Sequence, residues 1–74
     1  MELKPGIYEH SKSGKLYRVI GAAKHSETLE EFAVYEALYE NKTSNLWVRP
    51  LAMFCEEVEL GGKRVPRFRF LKSE

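Results

Sequence analysis

The sequence predicts a mainly β fold: a small, strongly bent antiparallel sheet or a partly open SH3-like barrel of five to six strands, with one short helical turn near residues 51–55. Three observations carry this. Short runs rich in Tyr, Phe, Val and Ile are separated by turn clusters such as Ser11-Lys-Ser-Gly14 and Gly61-Gly62, which is the grammar of hairpins. Small residues, Gly21-Ala-Ala23, interrupt the longest run where a strand of a curved sheet has to bend. The chain of 74 residues has room for one small domain, 1–74, with a single thin core, because a chain of this size buries only roughly 60% of its unfolded surface.

The elements follow in order. Lys4-Pro-Gly is a turn, and Ile7-Tyr8 begin a short first strand. Lys15 to Lys24 form the second, with Tyr17, Val19, Gly21 and Ala23 on one face and Arg18, Ile20, Ala22 and Lys24 on the other. Thr28-x-x-Glu31 has the form of a helix capping box, and Glu, Ala and Leu favour helix. The apolar residues from Leu29 to Tyr39 would nevertheless go nearly all the way round a helix, and Phe32, Val34, Tyr35 and Tyr39 favour strand, so a strand is expected from about Phe32 to Tyr39. A polar loop, Glu40 to Asn45, leads to a fourth strand starting at Leu46, which Pro50 must end because it has no amide donor. One helical turn then lays Leu51, Met53 or Phe54 on the core. Gly61-Gly62 turns Val58-Glu-Leu60 back into Lys63 to Leu71, whose alternation gives an apolar and a basic face.

Composition narrows function. Hydrophobic residues are 43% and charged residues 31% of the chain, a globular balance. A net charge of +1 argues against a general polyanion binder, so nucleic acid is not the favoured partner. Cys55 is the only cysteine, which excludes an intramolecular disulfide and suits a reducing, cytoplasmic setting. No run approaches the ~18 apolar residues of a membrane span, and no membrane partner is expected.

The strings Pro5-Gly-x-Tyr8-x-His10, Tyr17-Arg-Val, Ala23-Lys-His-Ser-Glu-Thr28, Val34-Tyr-x-Ala-Leu-Tyr39, Leu46-Trp-Val-Arg-Pro-Leu-x-Met-Phe54 and Pro66-Arg-Phe68 resemble the small bacterial family catalogued as domain of unknown function 1653. The likeness spans nearly the whole chain. It implies a stand-alone bacterial domain, mainly β, and carries no activity with it. Leu29 departs from the pattern, standing where Gly or another turn former is expected, and the 40–45 loop has no Gly.

The densest chemistry lies in His25 to Tyr39 and Leu46 to Phe54. Strands three and four should pair, and loop length decides which side chains share a face. If residues 40–45 all lie in the loop, Leu38 opposes Trp47 and Glu36 opposes Arg49; this register is preferred. A loop one residue shorter sets Tyr39 opposite Trp47 and Tyr35 beside Arg49, but drives Glu36 towards the core. Trp47 and Arg49 share a face either way, a stacking surface with a forked donor for a nucleobase, phosphate or peptide carboxylate. The bland alternative is Trp47 as core cover and Arg49 paired with Glu36 or Glu27.

His25-Ser-Glu27-Thr gathers acid and base groups, though a simple turn accounts for the same residues. His10, His25, Glu27 and Cys55 lack metal-ligand spacing, and neither a metal nor a cofactor is expected. The basic edge Lys63, Arg64, Arg67 and Arg69 faces Glu56, Glu57 and Glu59, which should neutralise it.

The resulting expectation is a non-enzymatic binding module with a ligand-binding surface of Trp47, Arg49, Glu36, His25, Glu27 and Tyr35, its partner a protein, a peptide or a nucleotide-like group. The alternatives are a small enzyme acting on a phosphate or acyl group through His25 and Glu27, and a homo-oligomer unit using Val34, Leu38 and Trp47.

Overall fold

The structure is a computed structural model that describes residues 3–39 and 45–73. The sheet content is higher than the sequence suggests: seven strands among the described residues, rather than five or six. They are β1 (Gly6–His10), β2 (Leu16–Lys24), β3 (Glu31–Ala37), β4 (Leu46–Pro50), β5 (Glu57–Leu60), β6 (Lys63–Pro66) and β7 (Phe68–Lys72), with α1 (Leu51–Phe54) between β4 and β5. Five form an antiparallel sheet in the order β4-β3-β2-β1-β7, and β5-β6 form a separate hairpin. The larger sheet is not closed: β4 and β7 are its edges.

The extra strand comes from Pro66. The run from Lys63 to Leu71 reads as one strand, but Pro66 has no amide to continue the ladder with β5. Arg67 is then held from two sides, donating to the Glu56 carbonyl at 2.8 Å and accepting from the Ser11 amide at 2.9 Å, while the Ser11 hydroxyl donates to the Pro66 carbonyl. Beyond it the chain joins β1, with Glu9 opposite Arg69 and His10 opposite Phe68. The Gly61-Gly62 turn is as expected, both residues in the left-handed region that a two-residue hairpin loop demands.

Strand β2 bends at a bulge between Val19 and Gly21. The bulge reverses the alternation: Val19 lies opposite Tyr35, whereas Ala22 lies opposite Ala33. The expected grouping of Gly21 and Ala23 with Tyr17 and Val19 therefore fails beyond the bend, because the extra residue turns the remainder of the strand over.

The β3–β4 register is a correction. Tyr35 lies opposite Trp47, Glu36 opposite Leu46 and Ala33 opposite Arg49, so β4 sits three residues along β3 from the preferred register and matches neither expectation. Strand β3 stops at Ala37 and not at Tyr39: the Ala37 amide bonds the Asn45 carbonyl at 2.8 Å, and the Leu38 amide makes one more bond to β2, to the Leu16 carbonyl at 3.0 Å. The expected loop, 40–45, lies outside the described residues except for Asn45. In this register Glu36 is not driven into the core: it faces outward and pairs with Arg18 at 2.6 Å. Val34 and Trp47 fall on opposite faces, so the apolar patch of Val34, Leu38 and Trp47 is not one surface.

Two hairpin loops share one construction. In the β1–β2 loop, the His10 amide bonds the Lys15 carbonyl (2.9 Å) and the Gly14 amide bonds the His10 carbonyl (2.7 Å). In the β2–β3 loop, the His25 amide bonds the Glu30 carbonyl (2.8 Å) and the Leu29 amide bonds the His25 carbonyl (2.8 Å). Each histidine Nδ1 accepts a local amide, from Ser13 in one loop and from Glu27 and Thr28 in the other. Each hydroxyl, Ser13 or Thr28, accepts the amide two residues on. Gly14 (φ 75°) and Leu29 (φ 64°) occupy the same left-handed position, so the Thr28-x-x-Glu31 string is a turn and not a helix cap.

The core is aromatic. Phe54 and Phe68 stack with centroids 4.2 Å apart, and Tyr8, Tyr35 and Val19 close around them. The helical turn supplies Leu51 and Phe54 to this core and leaves Met53 exposed. Cys55, just beyond it, is exposed. No described helix is long and apolar enough to cross a membrane.

Candidate functional site

Because β7 pairs with β1 and β3 with β4, the inner face of the sheet gathers side chains that are distant in sequence. They line an open cleft of about 340 Å³. Its aromatic walls are Tyr17, Tyr35, Tyr39, Trp47 and Phe68; its polar groups are His10, Ser13, Lys15 and Arg49. No described carboxylate lines it.

Each polar group has a defined setting. Arg49 donates from Nε to the Tyr35 hydroxyl at 3.4 Å, and its guanidinium carbon lies 5.6 Å from the Phe68 ring centroid. Neither contact neutralises it, whereas the other four arginines of the chain each pair with a glutamate: Arg18 with Glu36, Arg64 with Glu57, Arg67 with Glu56 and Arg69 with Glu9. On the basic edge Arg64 and Arg67 meet two of the glutamates expected to neutralise it, Glu57 and Glu56, whereas the partner of Arg69 is Glu9 on β1. The Lys15 ammonium rests 4.6 Å from the Tyr39 ring centroid, and no described carboxylate pairs with it.

Tyr39 is fixed in turn by a 2.9 Å hydroxyl–hydroxyl bond to Tyr17. Burial, then the bond to Tyr39, holds the Tyr17 phenol well above its ordinary pKa, so it stays protonated. Half-buried Trp47 packs on the core, and its indole N–H meets no acceptor among the described residues.

His10 packs edge-on against Phe68 with centroids 5.0 Å apart. Burial lowers its pKa first, and the Arg49, Arg67 and Lys12 charges lower it further. The ring is therefore neutral near pH 7. Since Nδ1 accepts the Ser13 amide, the ring proton sits on Nε2 and the cleft gains a neutral donor.

Of the residues singled out from sequence, Trp47, Arg49 and Tyr35 come together here. Glu36 lies on the outer face with Arg18. His25 and Glu27 are exposed in the β2–β3 loop, where the imidazole serves the turn and the Glu27 backbone bonds it. His10, Lys15, Tyr17, Tyr39 and Phe68 were missed. Only the likeness of His10-Ser-x-Ser to His25-Ser-x-Thr could have marked the first loop, and nothing local ties Phe68 to His10. His10, His25 and Cys55 lie at the end of β1, in the β2–β3 loop and after α1, and no described group of three or more His, Cys, Asp or Glu side chains could hold a metal.

A profile of the family described as protein of unknown function (DUF1653) matches residues 6–70. The crystal structure of a DUF1653 protein from Bordetella bronchiseptica is similar at a TM-score of 0.89 and 33% identity, covering 97% of this chain and 91% of that one. No match to a curated protein was found.

Proposed function

The chain belongs to the DUF1653 family of proteins of unknown function, and from that premise we propose that it is a non-enzymatic binding module whose cleft holds a small anion-bearing ligand. One observation carries the reading: among the described residues Arg49 alone of the five arginines has no glutamate partner, and no described carboxylate lines the aromatic cleft it stands in. A half-buried guanidinium with no described carboxylate beside it, set among stacking surfaces, is a ready receptor for an anion. The volume lies at the lower end of small-molecule sites, which run from about 300 Å³, and so suits one small molecule or one peptide residue. An SH3-like relationship is part of the proposal, supported by a first strand lying between the second and the last and by a helical turn after the fourth. A cytoplasmic setting accords with the lone cysteine.

The enzymatic alternative needs His25 and Glu27 to act together on a substrate. That reading has weaker support, since His25 Nδ1 is occupied by backbone amides. A second reading, self-association, draws on the outer face of edge strand β4, where Leu46 and Val48 are 58% and 61% exposed. Sedimentation velocity over a range of concentrations tests it, and a monomer at the highest would end it.

The binding reading is tested by titrating small anions, nucleotides and short peptides while following Trp47 fluorescence and amide shifts. Saturable changes at residues 10, 15, 39, 47 and 49, lost in Arg49→Gln, are expected. A broad panel that leaves these positions unmoved would end the proposal.

A further inference from the structure

We infer that the ligand is a phosphomonoester carried on a planar ring, chemically a nucleoside monophosphate, with its phosphate at Lys15, Arg49 and His10 and its ring against Tyr39 and Trp47. This rests on the reading of the cleft as a binding site.

The charge count selects the anion. Lys15 and Arg49 bring two full positive charges without a described carboxylate partner. A phosphomonoester carries about −1.5 to −2 at pH 7 and offers three acceptor oxygens. A carboxylate carries half that charge and would leave one cation uncompensated. The neutral His10 Nε2–H and the Ser13 hydroxyl add donors that need no charge of their own.

The walls select the ring. Tyr39 is fixed by Tyr17 on one side and capped by Lys15 on the other, and Trp47 supplies the widest π-surface in the chain. Base stacking on such side chains is worth about 1–3 kcal/mol. The Trp47 indole N–H has no acceptor among the described residues, and a base edge or phosphate oxygen would supply one.

The surroundings select a single nucleotide over a strand. A polynucleotide needs a run of unneutralised cations along its backbone. Outside the cleft the arginines are paired with glutamates, and the net charge is only +1.

The experiment follows amide shifts and Trp47 fluorescence of the full chain in low salt. The arms are AMP, UMP, adenosine, ribose 5-phosphate, inorganic phosphate, free phosphotyrosine and a tripeptide with a free C-terminal carboxylate. At least one nucleotide should bind ten-fold or more tighter than adenosine, ribose 5-phosphate and inorganic phosphate, with shifts centred on 10, 15, 39, 47 and 49. Arg49→Gln and, independently of any folding defect there, the exposed Lys15→Gln should each weaken it ten-fold or more. Phosphate or ribose 5-phosphate matching the nucleotide would overturn the role of the ring, and adenosine matching it would overturn the role of the phosphate. Phosphotyrosine exceeding both nucleotides would overturn the nucleoside assignment. Tripeptide binding at these residues with nucleotides inert would overturn this inference and leave the binding-module reading standing. Silence of the cleft in every arm would remove both.

Discussion

Replacing Leu29 by glycine should stabilise the protein, and the molecule contains its own control. Leu29 holds φ 64° in the β2–β3 loop and Gly14 holds φ 75° at the matching place in the β1–β2 loop. A non-glycine residue pays about 1–2 kcal/mol for left-handed backbone. Glycine removes that cost but returns ~0.4–1 kcal/mol through the greater freedom of the unfolded chain. Leu29 is 65% exposed, so truncating it forfeits little burial. The net gain for Leu29→Gly is about 0.5–1 kcal/mol, and Leu29→Asn should gain similarly, since Asn tolerates this conformation without glycine's entropy. Each kcal/mol is worth roughly 4–8 °C in Tm for a domain of this size. Thermal melts of Leu29→Gly, Leu29→Asn and Leu29→Val should rank the first two above the parent and the β-branched variant below it. If Gly and Asn both melt lower than the parent, backbone strain is not what the leucine costs, and its side chain contributes packing that outweighs it.

Gly6→Ala should destabilise by about 1–3 kcal/mol, because a Cβ there would meet the Lys72 carbonyl oxygen at 2.5 Å, and faster hydrogen exchange confined first to β1 and β7 would check it. Phe54→Ala removes one of the two stacked core rings and should cost ~3–5 kcal/mol, enough to leave much of the chain unfolded by circular dichroism at 37 °C. The lowered His10 pKa fixes a sign: the unfolded chain takes up the proton first, so this contribution to stability is complete above 6.5 and lost as pH falls from there through the folded value. Denaturant midpoints measured across that window should fall, and His10→Gln should flatten the decline. At the alkaline end the raised Tyr17 pKa has the opposite consequence: stability falls as pH rises past 10.0, and less so in Tyr17→Phe.

The strand-forming runs, the Pro50 stop, the helical turn after it and the Gly61-Gly62 turn were all legible in the chain, because each rests on a local backbone property. The β3–β4 register was not. It depends on how many residues the chain leaves between the paired parts of β3 and β4, and local pattern does not set that number: Glu36 opposite Leu46 and the Ala37 amide on the Asn45 carbonyl close the pairing earlier than Tyr39. The Glu36 carboxylate does have a cationic partner, but it is Arg18 on β2 and not Arg49 on β4. Trp47 and Arg49 were found because two residues apart on a strand always share a face. His10 and Phe68 were not, since their meeting requires β7 to pair with β1 after Pro66 has split what looks like one strand. Local grammar specifies elements; the cleft is a property of strand order.

That strand order gives the cleft a built-in dependence on completion. Within the sheet β7 has one neighbour, β1, so His10 meets Phe68 only when segments more than fifty residues apart have joined. Such a contact carries the largest loop-closure cost in the domain and belongs to the late steps of folding. On a ribosome, β1 to β4 could assemble first while the floor under Arg49 was still missing. On the proposed function, ligand capture would then begin with the closing of the last strand, and a nascent or clipped chain would be inert however well its earlier strands had formed.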